Sequence, residues 1–314
     1  MRAGAGLTPP LAIDQHSPRV GPVDAPVPGT ALTIGDVARR TGVPQATLRV
    51  WEQRYGFPVP LRLESGHRRY TVADVDTVLD VLRRRDAGTR LDAAVEQAVR
   101  QAGEGPQVDV QSAFAGLRRR HPHLAVRRLR KSTLSALSWA FEDEFGARAE
   151  KAYLFGGFQR QEFLTTALPR WTELSRVAQA AYVFAEGAEP SAGGPVAVRL
   201  GEDTPMLREW VVVCDAPGFA VALVAWELPG QVGVPDRART FEVIWTLEPP
   251  AVRDCARVCA QVALEAGAPG AVAVQRAMAA EAPAQPSDDA ASAALFGRAV
   301  AYLDRVTAGP ATVL

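Results

Sequence analysis

Residues 32–70 read LTIGDVARRTGVPQATLRVWEQRYGFPVPLRLESGHRRY, and the fold of the N-terminal part is decided here. Thr33 and Asp36 have the T-x-x-D spacing in which a hydroxyl accepts from an unpaired N–H at a helix start. Ile34, Val37, Ala38 and Thr41 then fall at i, i+3, i+4, i+7, one face of a short helix that Gly42 can end. Pro44 suits the first position of a second helix. Along it Leu48, Trp51 and Tyr55 can face inward, Thr47, Arg49 and Arg54 lie nearer the open side, and Gly56 is the stop. Two short helices joined by a tight turn containing Gly read as a helix-turn-helix, whose second helix can enter a major groove.

The residues after Gly56 carry a more specific pattern. Pro58 and Pro60 hold the chain extended, Arg62 comes next, and Ser65-Gly66 can form the tip of a turn from which His67, Arg68, Arg69 and Tyr70 return. A basic β-arm beside a recognition helix is a wing, placed to lie along phosphates. From Leu32 to Tyr70 there are seven Arg (39, 40, 49, 54, 62, 68, 69) against Asp36, Glu52 and Glu64, an excess that suits a polyanion. His67 reads as a spacer or phosphate contact, and Trp51 as core.

The pattern TLRVWEQRYG…P-x-R…SGHRRY, followed by a second T-x-x-D box at Thr71 and Asp74, resembles the winged-helix DNA-binding domain of the MerR family of bacterial transcription regulators. The resemblance covers about residues 32 to 100. It implies that Thr47, Arg49 and Tyr55 meet double-stranded promoter DNA from the recognition helix, and Arg62, Arg68 and Tyr70 from the wing. Arg54, His67 and Arg69 complete the expected DNA-binding set. It also implies a homodimer and RNA polymerase as a partner at the promoter. In many relatives a long coiled-coil helix comes next and makes the dimer; here no sustained heptad stands at that place, so dimerisation is expected from elsewhere or from DNA itself. Activation by distorting an overlong promoter spacer and repression by occlusion both fit this reading.

Composition sets the outer limits. A chain of 314 residues suits about two domains, and a net charge of +0 makes any basic face local. With 3 Cys there is no disulfide framework, and no apolar run reaches the roughly 18 residues that span a bilayer, so a soluble cytoplasmic protein with no membrane partner is expected. The partition expected is a Pro-rich disordered tail at 1–30, the winged helix at 31–103, a basic linker at 104–131, an α/β domain at 132–267, an Ala/Pro/Gly linker at 268–286 and a closing helix at 287–306. The fold class is α/β overall: a mostly α winged helix-turn-helix domain and a mixed α/β sensor-like domain.

Within the second part, AYLFGGF, AAYVFA, VAVRL, EWVVVCDA, AVALVAWEL and TFEVIWTLE read as strands, with helices before, between and after them. STLSALSWAFEDE, LFGGFQRQEF, RWTELSRVA, LREWVVVCDAPGFAVALVAWE and FEVIWTLEPPAVRDCARV resemble the DICT domain over about 120 to 267. That resemblance implies sensing, with the ligand and any cofactor unknown.

The α/β part carries no Gly-rich phosphate loop, no G-x-S-x-G, no H-E-x-x-H and no His to act as a base, so no enzyme and no catalytic residue is expected. Cys214, Cys255 and Cys259 read as core thiols. His121 and His123 stand two apart with no carboxylate near them in sequence, and no metal site is expected. Aromatic groups remain. Trp139, Trp171, Trp210, Trp226 and Trp245, with Arg208, can wall a pocket for a small-molecule effector, or can be core and interface packing. The other function class is a non-sensing DNA-binding assembly protein whose α/β domain only mediates oligomerisation.

Overall fold

The computed structural model describes residues 30–62, 67–102, 111–148, 151–202, 204–280, 282 and 289–308. The expected N-terminal tail (apart from Thr30), the Ser65-Gly66 wing tip, residues 104–110 and the Ser287–Asp288 cap lie outside them.

The N-terminal part runs β1 (Thr30–Leu32), α1 (Ile34–Thr41), α2 (Gln45–Tyr55), β2 (Leu61–Arg62), β3 (Arg68–Thr71), α3 (Val72–Asp86) and α4 (Leu91–Ala102). Thr33 and Asp36 close a reciprocal capping box on α1, and Thr71 and Asp74 repeat it on α3. Gly42 ends α1 at φ 74° and Gly56 ends α2 at φ 63°, left-handed conformations that glycine adopts without a Cβ penalty. The strands form an antiparallel sheet in the order β1-β3-β2, so the wing is anchored on the strand that precedes the helix-turn-helix. Val37, Leu48, Trp51, Tyr55, Tyr70, Val78 and Val95 bury one core between these helices and the sheet.

The second part runs α5 (Ala113–Arg120), β4 (Arg127–Arg130), α6 (Lys131–Arg148), β5 (Tyr153–Arg160), α7 (Gln161–Val177), β6 (Ala180–Glu186), β7 (Val196–Arg199), β8 (Glu209–Ala216), β9 (Phe219–Glu227), β10 (Thr240–Thr246), α8 (Pro249–Glu265), α9 (Ala271–Ala279) and α10 (Asp289–Ala308). One 7-stranded sheet has the order β4-β10-β9-β8-β5-β6-β7, parallel across β5, β6 and β7 and antiparallel elsewhere. Alternation along β8 sorts its residues: Val211 and Val213 join Phe114, Leu117, Val252 and Cys255 of α5 and α8 on one face, while Val212 and Cys214 join Leu134, Phe141, Trp171 and Leu295 of α6, α7 and α10 on the other. The result is a three-layer sandwich. Gly156 of β5 lets the Trp171 indole lie against the strand, for a Cβ there would stand 2.6 Å from the ring.

Two expected linkers are structured instead. Within 104–131, residues from 112 onward cap and form α5, then β4 as an edge strand; α5 buries residues 113–117 in one unbroken run before its three arginines, so it has no helical apolar periodicity to read. Within 268–286, α9 packs on α8, and the buried Arg253 of α8 both pairs with Asp215 and donates to the Ala280 carbonyl at 2.8 Å. The closing helix α10 docks on α6 through Leu295, an Arg298–Glu144 pair at 2.7 Å and a Tyr302–Asp143 hydrogen bond at 2.5 Å. No described helix is long and apolar enough to cross a membrane.

Candidate nucleic-acid interface and its seat on the α/β domain

The two faces of α2 have different surroundings. On the outer face Thr47 is half-buried, and Arg49 is exposed with no ion pair among the described residues. Beside it stands the wing, with His67 exposed and Arg69 half-buried, its Nη1 donating to the Arg68 carbonyl at 3.0 Å. Arg62 lies opposite Arg68 in the β2–β3 register. Glu52 of α2 ties helix to wing: it accepts from Arg68 Nε at 3.2 Å and from the Tyr70 hydroxyl at 3.4 Å.

Three members of the expected DNA-binding set are placed elsewhere by the fold. Tyr70 is 0% exposed, and burial with Glu52 beside it pushes its phenol pKa up. Tyr55 is 6% exposed, its phenol also pushed up by burial, and its ring is flanked by the Arg54 and Arg118 guanidiniums at 5.0 and 5.2 Å. Both rings are core, because an aromatic side chain on a small domain removes more apolar area from water than any other choice. Arg54 is turned inward.

Arg54 meets the α/β sheet. Its Nε donates to Glu242 Oε2 at 2.9 Å, its Nη2 to Oε1, and its guanidinium lies 5.6 Å from the Trp226 ring. The register explains the target. Glu209, Trp226, Glu242 and Arg128 lie side by side across β8, β9, β10 and β4, all on the sheet face that α5 covers. Glu242 also lies 3.9 Å from Arg118 of α5, which reaches Glu96 of α4 at 3.1 Å. Glu209, fully buried, accepts from Ser112 Oγ and from the Ala113 N–H at 3.0 Å, and so holds the start of α5. Burial pushes its carboxyl up to about 7, with those hydrogen bonds opposing the shift. Ser112 Oγ also lies 3.5 Å from the Gln53 carbonyl of α2. Val50 packs on the α/β core, and Gly56 sits against Ala115, where a Cβ would be 3.4 Å from the alanine methyl. Helix α5 is thus a wedge between α2 and the sheet.

The expected effector residues do not gather into one pocket. Trp226 faces α5, whereas Trp171 is 0% exposed on the opposite face, its Nε1 donating to Glu142 at 3.2 Å. Burial pushes the Glu142 carboxyl up to about 7, with Arg170 opposing. Trp139 and Trp245 are each 43% exposed, and Trp210 donates from Nε1 to Ser138 Oγ at 2.8 Å. Of the six residues, Arg208 and Trp226 meet, the guanidinium 5.0 Å from the ring centroid. A second group of cations and rings forms around Trp210: Lys131 Nζ lies 3.5 Å from the Phe163 centroid and 6.0 Å from that of Trp210, and Arg239 stacks near Phe163 and Phe241. Desolvation lowers the Lys131 pKa although Asp236 pairs with it at 2.6 Å. Sequence reasoning missed this group; the one available signal was that Lys131 is one of two Lys in an Arg-rich chain. The three thiols are buried, with burial pushing each pKa up.

A winged helix seated on an α/β sandwich is the class these observations define. Residues 32–97 match the family model described as MerR HTH family regulatory protein, and residues 111–228 match DICT, a sensory domain in diguanylate cyclases and two-component systems. The chain joins a MerR-family helix-turn-helix to a DICT domain. The DICT match begins at the residue before Ser112, in accord with α5 belonging to the α/β part. Among curated proteins, the chain is 51% identical over 53 residues to the HTH-type transcriptional repressor CarA of Myxococcus xanthus (17% of this chain, 18% of the relative). It is 34% identical over 82 residues to the HTH-type transcriptional regulator MlrA of Escherichia coli (26% and 32%). To the HTH-type transcriptional activator TipA of Streptomyces coelicolor it is 31% identical over 150 residues (45% and 54%). The chain spans about half or less of the length of these relatives, all of them transcription regulators.

Proposed function

We propose that this chain is a transcription regulator that binds double-stranded promoter DNA as a homodimer through α2 and the wing, and that its DICT domain answers a signal. The observation that supports this best is the division of α2: Arg49 stands on the outside with no ion pair among the described residues, while Arg54 is held by Glu242 and Trp226 on the inside. Arg49, with Thr47, reads base edges, and His67, Arg68 and Arg69 take phosphates. A change in the sheet at β8, β9 or β10 reaches α2 through the row Glu209–Trp226–Glu242 and through α5. A signal acts by favouring one pose of that row over another, and only its difference in affinity for the two poses counts. The relatives include a repressor and an activator, and a winged helix-turn-helix of this kind suits either sign of regulation.

Selection of bound fragments from a genomic library, followed by footprinting, tests the reading. A discrete protected site of two related half-sites is expected. Uniform coverage without sequence preference overturns it and favours an assembly role instead.

A further inference from the structure

The turn that leaves α5 carries two imidazoles, and the fold supplies what the local sequence lacks. Glu248, the residue before α8, places Oε2 2.9 Å from His123 Nε2, and Asp254, on α8, places Oδ2 2.9 Å from His121 Nε2. The two rings are 5.9 Å apart and nearly perpendicular, and one ligand atom from each of His121, His123 and Glu248 lies within 4.8 Å of the other two. We propose that these three residues form a site for one divalent transition-metal ion of the zinc, cobalt or nickel class, with Asp254 orienting His121.

The donor set selects the ion. Two imidazoles and a carboxylate suit borderline d-block cations, which accept three protein ligands and leave a position open; calcium and magnesium take oxygen shells instead. With Nε2–H directed at Asp254, His121 keeps the Nδ1 lone pair for a metal, the carboxylate–imidazole–metal relay that fixes ring and tautomer. Metal–ligand bonds of about 2.0–2.2 Å put tetrahedral ligand atoms roughly 3.4 Å apart. The His123–Glu248 gap of 2.9 Å therefore opens slightly and the widest gap closes by an ångström or so. His123 and Glu248, with side chains 59% and 50% exposed, have the freedom to adjust and leave water a way in.

The location gives the ion something to hold. His121 closes α5, its N–H donating to the Leu117 carbonyl at 2.8 Å, and the other end of α5 is fastened to Glu209. An ion joining this turn to the start of α8 reinforces the hold on that end of the wedge beneath the helix-turn-helix. The site itself does not depend on the DNA-binding reading.

The test uses the full chain without an affinity tag, stripped of metal and titrated with Co2+ by visible absorption and with Zn2+ against a chromophoric chelator. One equivalent is expected to bind, with the d–d absorption of a low-coordinate nitrogen–oxygen site. His123→Ala and Glu248→Gln should each weaken binding tenfold or more, and the double variant should lose the equivalent. Asp254→Asn should weaken it by about 10–100-fold. Substitution at either exposed position should leave the metal-free thermal melt unchanged, which separates lost ligands from lost fold. Absence of a stoichiometric equivalent, or its survival in the double variant, overturns the proposal.

Discussion

Arg49 and Arg54 stand on one helix with the same chemistry and open onto different worlds. Arg49 faces out of the molecule, while Arg54 is chelated by Glu242 and stacked near Trp226 on the α/β sheet. The contrast teaches that an arginine on a recognition helix is not by itself a DNA contact. Its role depends on which face the rest of the fold leaves open. An exposed guanidinium keeps its hydration until a phosphate or base replaces it, whereas one held by a buried carboxylate has already exchanged water for protein.

The largest effect expected on the inward side is at Glu209. Glu209→Ala leaves the Ser112 hydroxyl and the Ala113 N–H without their buried acceptor and should cost about 3 kcal/mol in urea unfolding. Glu209→Gln keeps the shape and sharpens the point through pH. Because the folded carboxyl sits at about 7 against an ordinary 4.5, its stabilising contribution is full below about 4.5 and is lost as pH rises through about 7. Wild-type stability should therefore fall across that window more steeply than that of the Gln variant, with Glu142 supplying a second slope of the same sign. A Gln variant with an unaltered slope would place the titration elsewhere.

Next comes the contact itself. A double-mutant cycle of Arg54→Ala with Glu242→Ala should return a coupling of about 2 kcal/mol, less than a fully dry pair because Arg54 keeps some solvent access. Strict additivity would mean that the two domains do not meet this way in solution. On the outward side, Arg49→Ala should lower affinity for the selected operator by roughly 10–100-fold and blur discrimination at one base position. Equal losses on operator and random DNA would remove its reading role. The smallest effect is expected from Arg69→Ala, which should reduce the salt slope of binding by about one phosphate contact and leave sequence preference intact.

How far the sequence was legible depended on the range of the interaction. Capping boxes at Thr33 and Thr71, the glycine stops at 42 and 56, and the apolar face of Leu48, Trp51 and Tyr55 are written within one or two turns of chain, and all are present. The strand from Tyr153 and the hairpin of Glu209–Ala216 with Phe219–Glu227 were likewise readable from short apolar runs and a tight turn. Helix α5 was not: it fell inside the expected basic linker at 104–131, and Ser112 and Phe114 find their partners only when Glu209 and the sheet are brought to them. Tyr70, expected at DNA, illustrates the same limit, since a conspicuous polar aromatic in a basic arm can as well be core once Glu52 meets its hydroxyl.

By itself the sequence determined the winged helix-turn-helix and the α/β character of the rest, because periodicity, caps and turn residues act on neighbours. Tertiary structure alone decided that Arg54 turns inward, that the tryptophans divide between two faces of one sheet, and that His121 and His123 acquire Asp254 and Glu248. Those outcomes depend on strand register and on the docking of one domain against another. Register is set by the summed burial of whole faces, and no local window of sequence contains that sum.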